Sequence, residues 1–234
     1  MKSIEKKQEE CILRVFAMHV SGLELQYERW GLYLSKERWE KSKKRAGEQE
    51  RRLYLGAEIL LNHGLKTLWN DIVLPVAYIR NVHGKPYLLP PNDQRYVNWS
   101  HSGDYVLCAV ADQEVGVDLQ YMRSGVKESL VKRALQPEEM EVYKKIPPTE
   151  REKCFYQYWV LKESYLKAMG TGFHTSLSRF YVDMEGQYPQ IRSREDETHY
   201  DCRLLEFRDA GYAAAVCCVG KITKVEIEYP LLPE

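Results

Sequence analysis

The sequence predicts an α+β fold, and three observations carry that prediction. Short β-branched runs open the chain and recur at its end. An amphipathic segment in the first third and a longer helical stretch in the second half interrupt them. The order of strands, helices and strands again suits sheets packed on a few helices, not an alternating βαβ pattern. With 234 residues, the chain is long enough to bury a sizeable core in one large domain or two small lobes.

Residues 11–20 are apolar and β-branched enough for a first strand. A densely charged stretch, residues 35–52, follows. Leu53, Ala57, Leu60 and Leu61 then recur at helical spacing, which predicts a helix over residues 49–63 ending at His63-Gly64. Residues 76–80 read as a strand, Asn81-Val82-His83-Gly84 as a turn, and residues 87–89 as a short extended piece before Pro90-Pro91. Residues 97–99, 105–111 and 115–119 read as a β-meander, with turns at Ser102-Gly103-Asp104 and Asp112-Gln113-Glu114. Residues 127–134 form a helix. Pro137 suits the start of another, reaching about residue 145. After the loop at Pro147-Pro148, a long helix covers residues 149–169 and is closed by Gly170 and Gly172. Cys154, Tyr158, Leu161, Tyr165 and Met169 line one of its faces. Residues 181–184, 203–207, 213–219 and 224–228 supply the closing strands.

Lys plus Arg equals Asp plus Glu, at 34 each. No global basic field supports nucleic-acid binding. The six cysteines form no CxxC or CxxH pair, which argues against a zinc cluster. Most lie in apolar runs and read as reduced core residues. The first ten residues are polar and charged, unlike a signal peptide or membrane anchor, and no apolar run approaches a membrane span. The expected location is cytoplasmic.

Three segments carry chemistry. In the last, Trp159-Val160-Leu161-Lys162-Glu163-Ser164-Tyr165-Leu166-Lys167, the residues Trp159, Glu163 and Lys167 are spaced by four and share a helical face roughly opposite the Leu161 stripe. For Glu163 and Lys167, a surface ion pair is the plainer alternative. Asp118 ends an apolar strand in Gly116-Val117-Asp118. Oxygen ligands from a strand end and a helix suit a hard cation such as Mg2+, although a turn residue would look the same. Ser100-His101-Ser102-Gly103 joins hydroxyls, an imidazole and backbone N–H groups at a strand end, as a phosphate site or a bonded turn would. A hydrolase triad finds no G-x-S-x-G elbow.

Together and in order, these segments resemble the 4'-phosphopantetheinyl transferase superfamily, in its larger, surfactin-synthetase-activating (Sfp) type. The matching residues are Gly84-Lys85-Pro86, Ser100-His101-Ser102, Gly116-Val117-Asp118 and the helix from Trp159 to Lys167. The resemblance is strongest over residues 83–172, weaker over residues 51–61, where Arg52-Leu53-Tyr54-Leu55-Gly56 looks like the family's Arg-containing helix, and weak elsewhere. It implies a pseudo-dimer of two similar α+β lobes, residues 1–95 and 96–234, with coenzyme A in the cleft between them. It also implies a monomer that moves 4'-phosphopantetheine from coenzyme A to a serine of an acyl or peptidyl carrier protein. The implied metal is Mg2+, on Asp118 and Glu163. Lys167 would meet the pyrophosphate, and Ser100 and His101 the phosphates. Arg52, Lys85 and Pro86 would meet the nucleotide end with its 3'-phosphate. Lys162 lies inside the motif, a quarter-turn from Glu163, and is a candidate cofactor contact. Glu163, or a metal-bound water, would take the serine proton. Glu139 sits where related enzymes carry a helix carboxylate, and is otherwise a solvated charge. Many relatives have Asp-x-Glu at the strand end where this chain has Asp118-Leu119-Gln120, so Gln120 would be a neutral metal ligand. The alternatives are a coenzyme A- or carrier-binding module without transfer, and a metal-dependent hydrolase of coenzyme A.

Overall fold

Strand pairing divides the chain into two sheets with the same internal plan. The computed structural model describes residues 10–172, 175–194 and 198–230. The first half runs β1 (Leu13–His19), α1 (Tyr27–Trp30), α2 (Lys36–Ser42), α3 (Glu48–Leu68), a β2–β3 hairpin (Tyr78–Arg80, Pro86–Leu88), β4 (Tyr96–Ser102) and β5 (Tyr105–Ala111). The second runs β6 (Val115–Tyr121), α4 (Glu128–Ala134), α5 (Pro137–Lys145), α6 (Arg151–Met169), a β7–β8 hairpin (Phe180–Asp183, Gln190–Ser193), β9 (Tyr200–Leu205) and β10 (Tyr212–Val219). In each half the last strand pairs antiparallel with both the first and the penultimate one, giving β1-β5-β4 and β6-β10-β9. β11 (Ile227–Glu228) returns to add to β1 in parallel. This is the pseudo-symmetric two-lobe α+β architecture.

Period-two alternation sorts the side chains into layers. On β5, Val106, Cys108 and Val110 pack under α3, while Leu107, Ala109 and Ala111 face the second sheet. On β10, Ala213, Ala215 and Cys217 pack under α6, while Ala214, Val216 and Cys218 face the first sheet. The order is helix, sheet, sheet, helix. Strands buried on both faces read as continuous apolar runs because neither face needs polar residues.

Four expectations are corrected. The helix does not stop at His63-Gly64 but continues to Leu68. Gly64 is there for close packing, since a Cβ would fall 2.9 Å from the Phe16 ring. β6 does not extend a meander: β5 already has β1 and β4 on its two edges, so β6 crosses to the second sheet. The chain therefore changes sheets between Ala111 and Val115, not at residues 95/96, because β4 and β5 pair with β1. Finally, Cys202 and Cys217 face each other across β9 and β10, with Cα atoms 4.2 Å apart, and form a disulfide. Their separation of 15 residues revealed nothing of that register. Cys11, Cys108, Cys154 and Cys218 are free and buried. The expectation for the first ten residues lies largely outside the described residues. Among the described residues, no helix is long and apolar enough to cross a membrane.

Candidate active site

The two sheets are stitched at one edge by side chains of β4. Asn98, Ser100 and Ser102 alternate along the strand and all reach β6. Asn98 Oδ1 accepts from Val117 N–H at 3.2 Å, Ser100 Oγ donates to Asp118 Oδ1 at 2.8 Å, and Ser102 Oγ accepts from Tyr121 N–H at 2.9 Å. Ser100, His101 and Ser102 are thus inside the strand, and the turn begins only at Gly103. The sequence reading ended this strand at Trp99 and so missed the ladder, although polar residues stand at every second position, 98, 100 and 102.

On β6, Val115, Val117 and Leu119 enter the core between the sheets. Alternation turns Gly116, Asp118 and Gln120 toward α6. Gly116 sets the approach: a Cβ there would meet Ser164 O at 2.1 Å and Ala168 N at 2.3 Å. That closeness lets Lys167 reach across. Its Nζ donates to Val117 O at 3.1 Å and to Asp118 Oδ1 at 2.6 Å. Asp118 is 5% exposed, and its second oxygen, Oδ2, has no hydrogen-bond partner among the described residues. A buried carboxylate oxygen left bare is costly unless something occupies it. One turn before Lys167, Glu163 lines the cleft. Burial first, and then the nearby Asp118 charge, push its carboxyl up to about 7, against the pull of Lys167.

A cavity of about 250 Å³ lies between α6 and the β2–β3 hairpin, walled by Arg80, Lys85, Pro86, Trp99, Glu163 and Lys167. Arg80 and Trp99 also wall a neighbouring cavity of about 370 Å³, with Arg38, Arg45, Tyr54 and His101. Arg80 lies 5.0 Å from the Trp99 ring centre. Arg38 and Arg45 lie 3.4 and 4.1 Å from that of Tyr54. The result is a groove of cations and aromatic faces leading to two carboxylates. Among the described residues no three His, Cys, Asp or Glu converge as a metal cluster. The bare Asp118 oxygen and Glu163 nevertheless suit one hard cation completed by ligand oxygens.

The structure brings Glu163, Lys167, Lys85 and Pro86 to this cleft and His101 to the neighbouring one, with Asp118 bonded to Lys167 and Ser100 bonded to Asp118. It turns other candidates elsewhere. Arg52 donates to Leu23 O at 3.1 Å and pairs with Glu48, away from the groove. The groove face of α3 carries Glu50, Leu53, Tyr54 and Ala57, and Arg52 falls between those helical positions. Lys162 is 2% exposed and pairs with Glu139 at 2.7 Å on the far side of α6. Glu139 is no solvated charge. It closes a capping box on Gln136 and accepts from Val182 N–H at 2.6 Å. Burial pushes the Glu139 carboxyl up and the Lys162 ammonium down, and their mutual attraction opposes both shifts. Ser100 gives its hydroxyl to Asp118 rather than presenting it to a phosphate. Lys85 faces the cleft, but its ammonium binds Glu114 and Ala168 O. Gln120 is half-buried on the Asp118 face of β6. Arg38, Arg45, Tyr54, Arg80 and Trp99 were missed. Of these, Tyr54 lies inside Arg52-Leu53-Tyr54-Leu55-Gly56 and Trp99 directly precedes Ser100-His101-Ser102; the other three carried no sequence signal.

The family model described as the 4'-phosphopantetheinyl transferase superfamily matches residues 114–217. The chain is 30% identical over 136 residues to a 4'-phosphopantetheinyl transferase of Bacillus subtilis, covering 58% of this chain and 59% of that protein. It is 44% identical over 77 residues to the 4'-phosphopantetheinyl transferase HetI of a Nostoc species, 32% of each. It is 26% identical over 191 residues to the 4'-phosphopantetheinyl transferase Sfp of Bacillus subtilis, covering 81% and 84%. The first two matches thus span less than two thirds of those proteins. Among solved structures, the Thermotoga maritima holo-[acyl-carrier-protein] synthase matches 47% of this chain and 64% of its own, at 22% identity and a TM-score of 0.39.

Proposed function

We propose that the chain is a member of the 4'-phosphopantetheinyl transferase superfamily, whose family model matches residues 114–217, and that it transfers 4'-phosphopantetheine from coenzyme A to a serine of a carrier protein. The observation that carries the reading is the bare, buried Oδ2 of Asp118 beside Glu163 and Lys167, at the end of a cationic groove. Pyrophosphate and a nucleotide ring match that groove chemically: phosphates meet Arg45, Arg80 and Lys167, and a flat base meets Tyr54 or Trp99.

The carrier serine oxygen forms a bond to the phosphorus bearing pantetheine. The bond from that phosphorus to the bridging pyrophosphate oxygen breaks, and 3',5'-ADP leaves with the electron pair. Catalysis of such a step is mainly positioning and charge stabilisation. Lys167, fixed by Val117 O and Asp118, offsets charge on the leaving oxygen. The Glu163 carboxylate accepts the serine proton, directly or through water; a group near 7 is about half ionised at neutral pH, the range suited to a general base. Mg2+ would be held by Asp118 and Glu163, with the Gln120 carbonyl as a neutral third oxygen, and would supply charge neutralisation to the pyrophosphate.

The test is mass spectrometry of apo carrier proteins from fatty-acid, polyketide and peptide synthetases, each incubated with coenzyme A and Mg2+. Transfer adds the mass of phosphopantetheine to a carrier. Consumption of coenzyme A without an adduct would make the protein a hydrolase, and binding without turnover a coenzyme A-binding module.

A further inference from the structure

Lys85 is the most deeply buried cation lining the cleft, with a side chain only 3% exposed. Burial lowers the proton affinity of its ammonium, and Glu114 opposes that fall. Its two partners are informative. Glu114 immediately precedes β6, the strand that carries Asp118. Ala168 O belongs to the last turn of α6, the helix that carries Glu163 and Lys167. One ammonium from the first lobe therefore ties the start of the acidic strand to the end of the acidic helix, both in the second lobe.

The rest of the hairpin serves the same joint. Asn81 Nδ2 donates to Gly170 O at 2.8 Å, while its Oδ1 accepts from the His83 and Lys85 N–H groups at 2.9 Å each. Gly170 ends α6 in the left-handed region at φ 72°, and a Cβ there would fall 2.9 Å from Lys85 Cδ. Carbonyls at a helix C-terminus are unsatisfied within the helix and attract cations. Here the opposite lobe supplies both the amide and the ammonium that satisfy them.

We infer that Lys85 is a positioning residue, the centre of an inter-lobe clasp that sets α6 against β6 and so the distance between Glu163–Lys167 and Asp118. A direct role on a nucleotide phosphate would require the ammonium to leave both partners. The kinetic part of the inference rests on the transferase reading; the clasp itself does not.

The experiment compares wild type, Lys85→Met, Glu114→Gln and the double variant. It reads urea unfolding, calorimetric Kd for coenzyme A and for dephospho-coenzyme A, and kcat with KM on an accepted carrier. Loss of a supporting contact behind a metal or catalytic group typically costs roughly 10–100-fold in activity. Lys85→Met is expected to lower kcat by about that range and to change the Kd of the two ligands by the same factor. Glu114→Gln should shift kcat in the same direction, with the double variant close to Lys85→Met alone. A loss confined to coenzyme A, with dephospho-coenzyme A unaffected, would place Lys85 on the 3'-phosphate and overturn the inference. So would a kcat left unchanged by all three variants. If Lys85→Met does not fold, Asn81→Ser and Glu114→Gln carry the test, and wild-type kcat in both refutes it. A wild type that modifies no carrier sinks the transferase reading instead, while additive unfolding effects of Lys85→Met and Glu114→Gln would still sink the clasp.

Discussion

Replacing Glu163 by Gln should abolish transfer and yet make the metal-free protein more stable, and the gain should appear only as the pH rises above about 4.5. Burial and the Asp118 charge carry this carboxyl from 4.5 up to about 7. The folded state therefore holds its proton over a range in which the unfolded chain has released it. Below about pH 4.5 both states are protonated and the group costs nothing. Between about pH 4.5 and 7 the folded state binds more protons, so stability falls as pH rises. Above about pH 7 the penalty is complete, with an upper bound of about 3 kcal/mol at 1.36 kcal/mol per pKa unit. Partial exposure of the side chain reduces that, and a gain of about 2 kcal/mol is expected for Glu163→Gln at about pH 8.5. The amide keeps the shape and removes only the charge.

The assay is urea unfolding of both proteins in chelator, at about pH 4.5 and about pH 8.5. Other titrating groups cancel in the difference between the two proteins. The variant should lead at the higher pH and match wild type at the lower. A gap of equal size at both values, or a less stable variant at the higher one, would refute the argument, because the cost would then not be ionisation. Saturating Mg2+ should raise the wild type and leave the variant nearly unmoved, since a ligand of the folded state stabilises only the protein that binds it. The site thus trades stability for chemistry.

Asp118→Asn should stay folded by circular dichroism but lose at least ~100-fold in turnover, the scale of losing one electrostatic contact at a transition state; turnover near wild type would remove Asp118 from the site. Glu139→Gln, which leaves the buried Lys162 ammonium without a counter-charge, should cost about 3–5 kcal/mol in urea unfolding. It should leave the calorimetric Kd for coenzyme A unchanged, since the pair sits outside the cleft; weaker binding in a folded variant would return Lys162 to the cofactor. Gln120→Glu should lower half-saturating Mg2+ about tenfold: a third carboxylate adds attraction, and its desolvation and its repulsion from Asp118 and Glu163 cancel most of the gain. An unchanged midpoint would place Gln120 outside the metal's coordination.

Local pattern exposed the strands and helices, because hydrophobic period is a property of neighbours in sequence. It missed the duplication, because that lies in which edges pair: β5 and β10 each fill the centre of their own sheet, and nothing in residues 105–121 marks β6 as leaving for the other. The site divides in the same way. Motif spacing correctly placed Asp118, Glu163 and Lys167 together, since one strand face and one helix face fix their directions. For Lys162, Arg52 and Lys85 it did not show which partners hold the charge. Adjacent helical residues point about 100° apart, so Lys162 turns into the core and toward Glu139 while Glu163 turns into the cleft. On α3, Leu53 and Tyr54 take the groove while Arg52 turns back to Leu23 O. Lys85 does face the cleft, yet its charge is committed to Glu114 and the end of α6. Recurrence of a basic residue in a motif therefore identifies an element of the site, but whether the charge meets the ligand or the scaffold depends on which acceptors the other lobe brings beside it. Those acceptors are Glu114, 29 residues from Lys85 in the chain, and Ala168 O, 83 residues away from it. The docking of the two lobes brings both of them within reach.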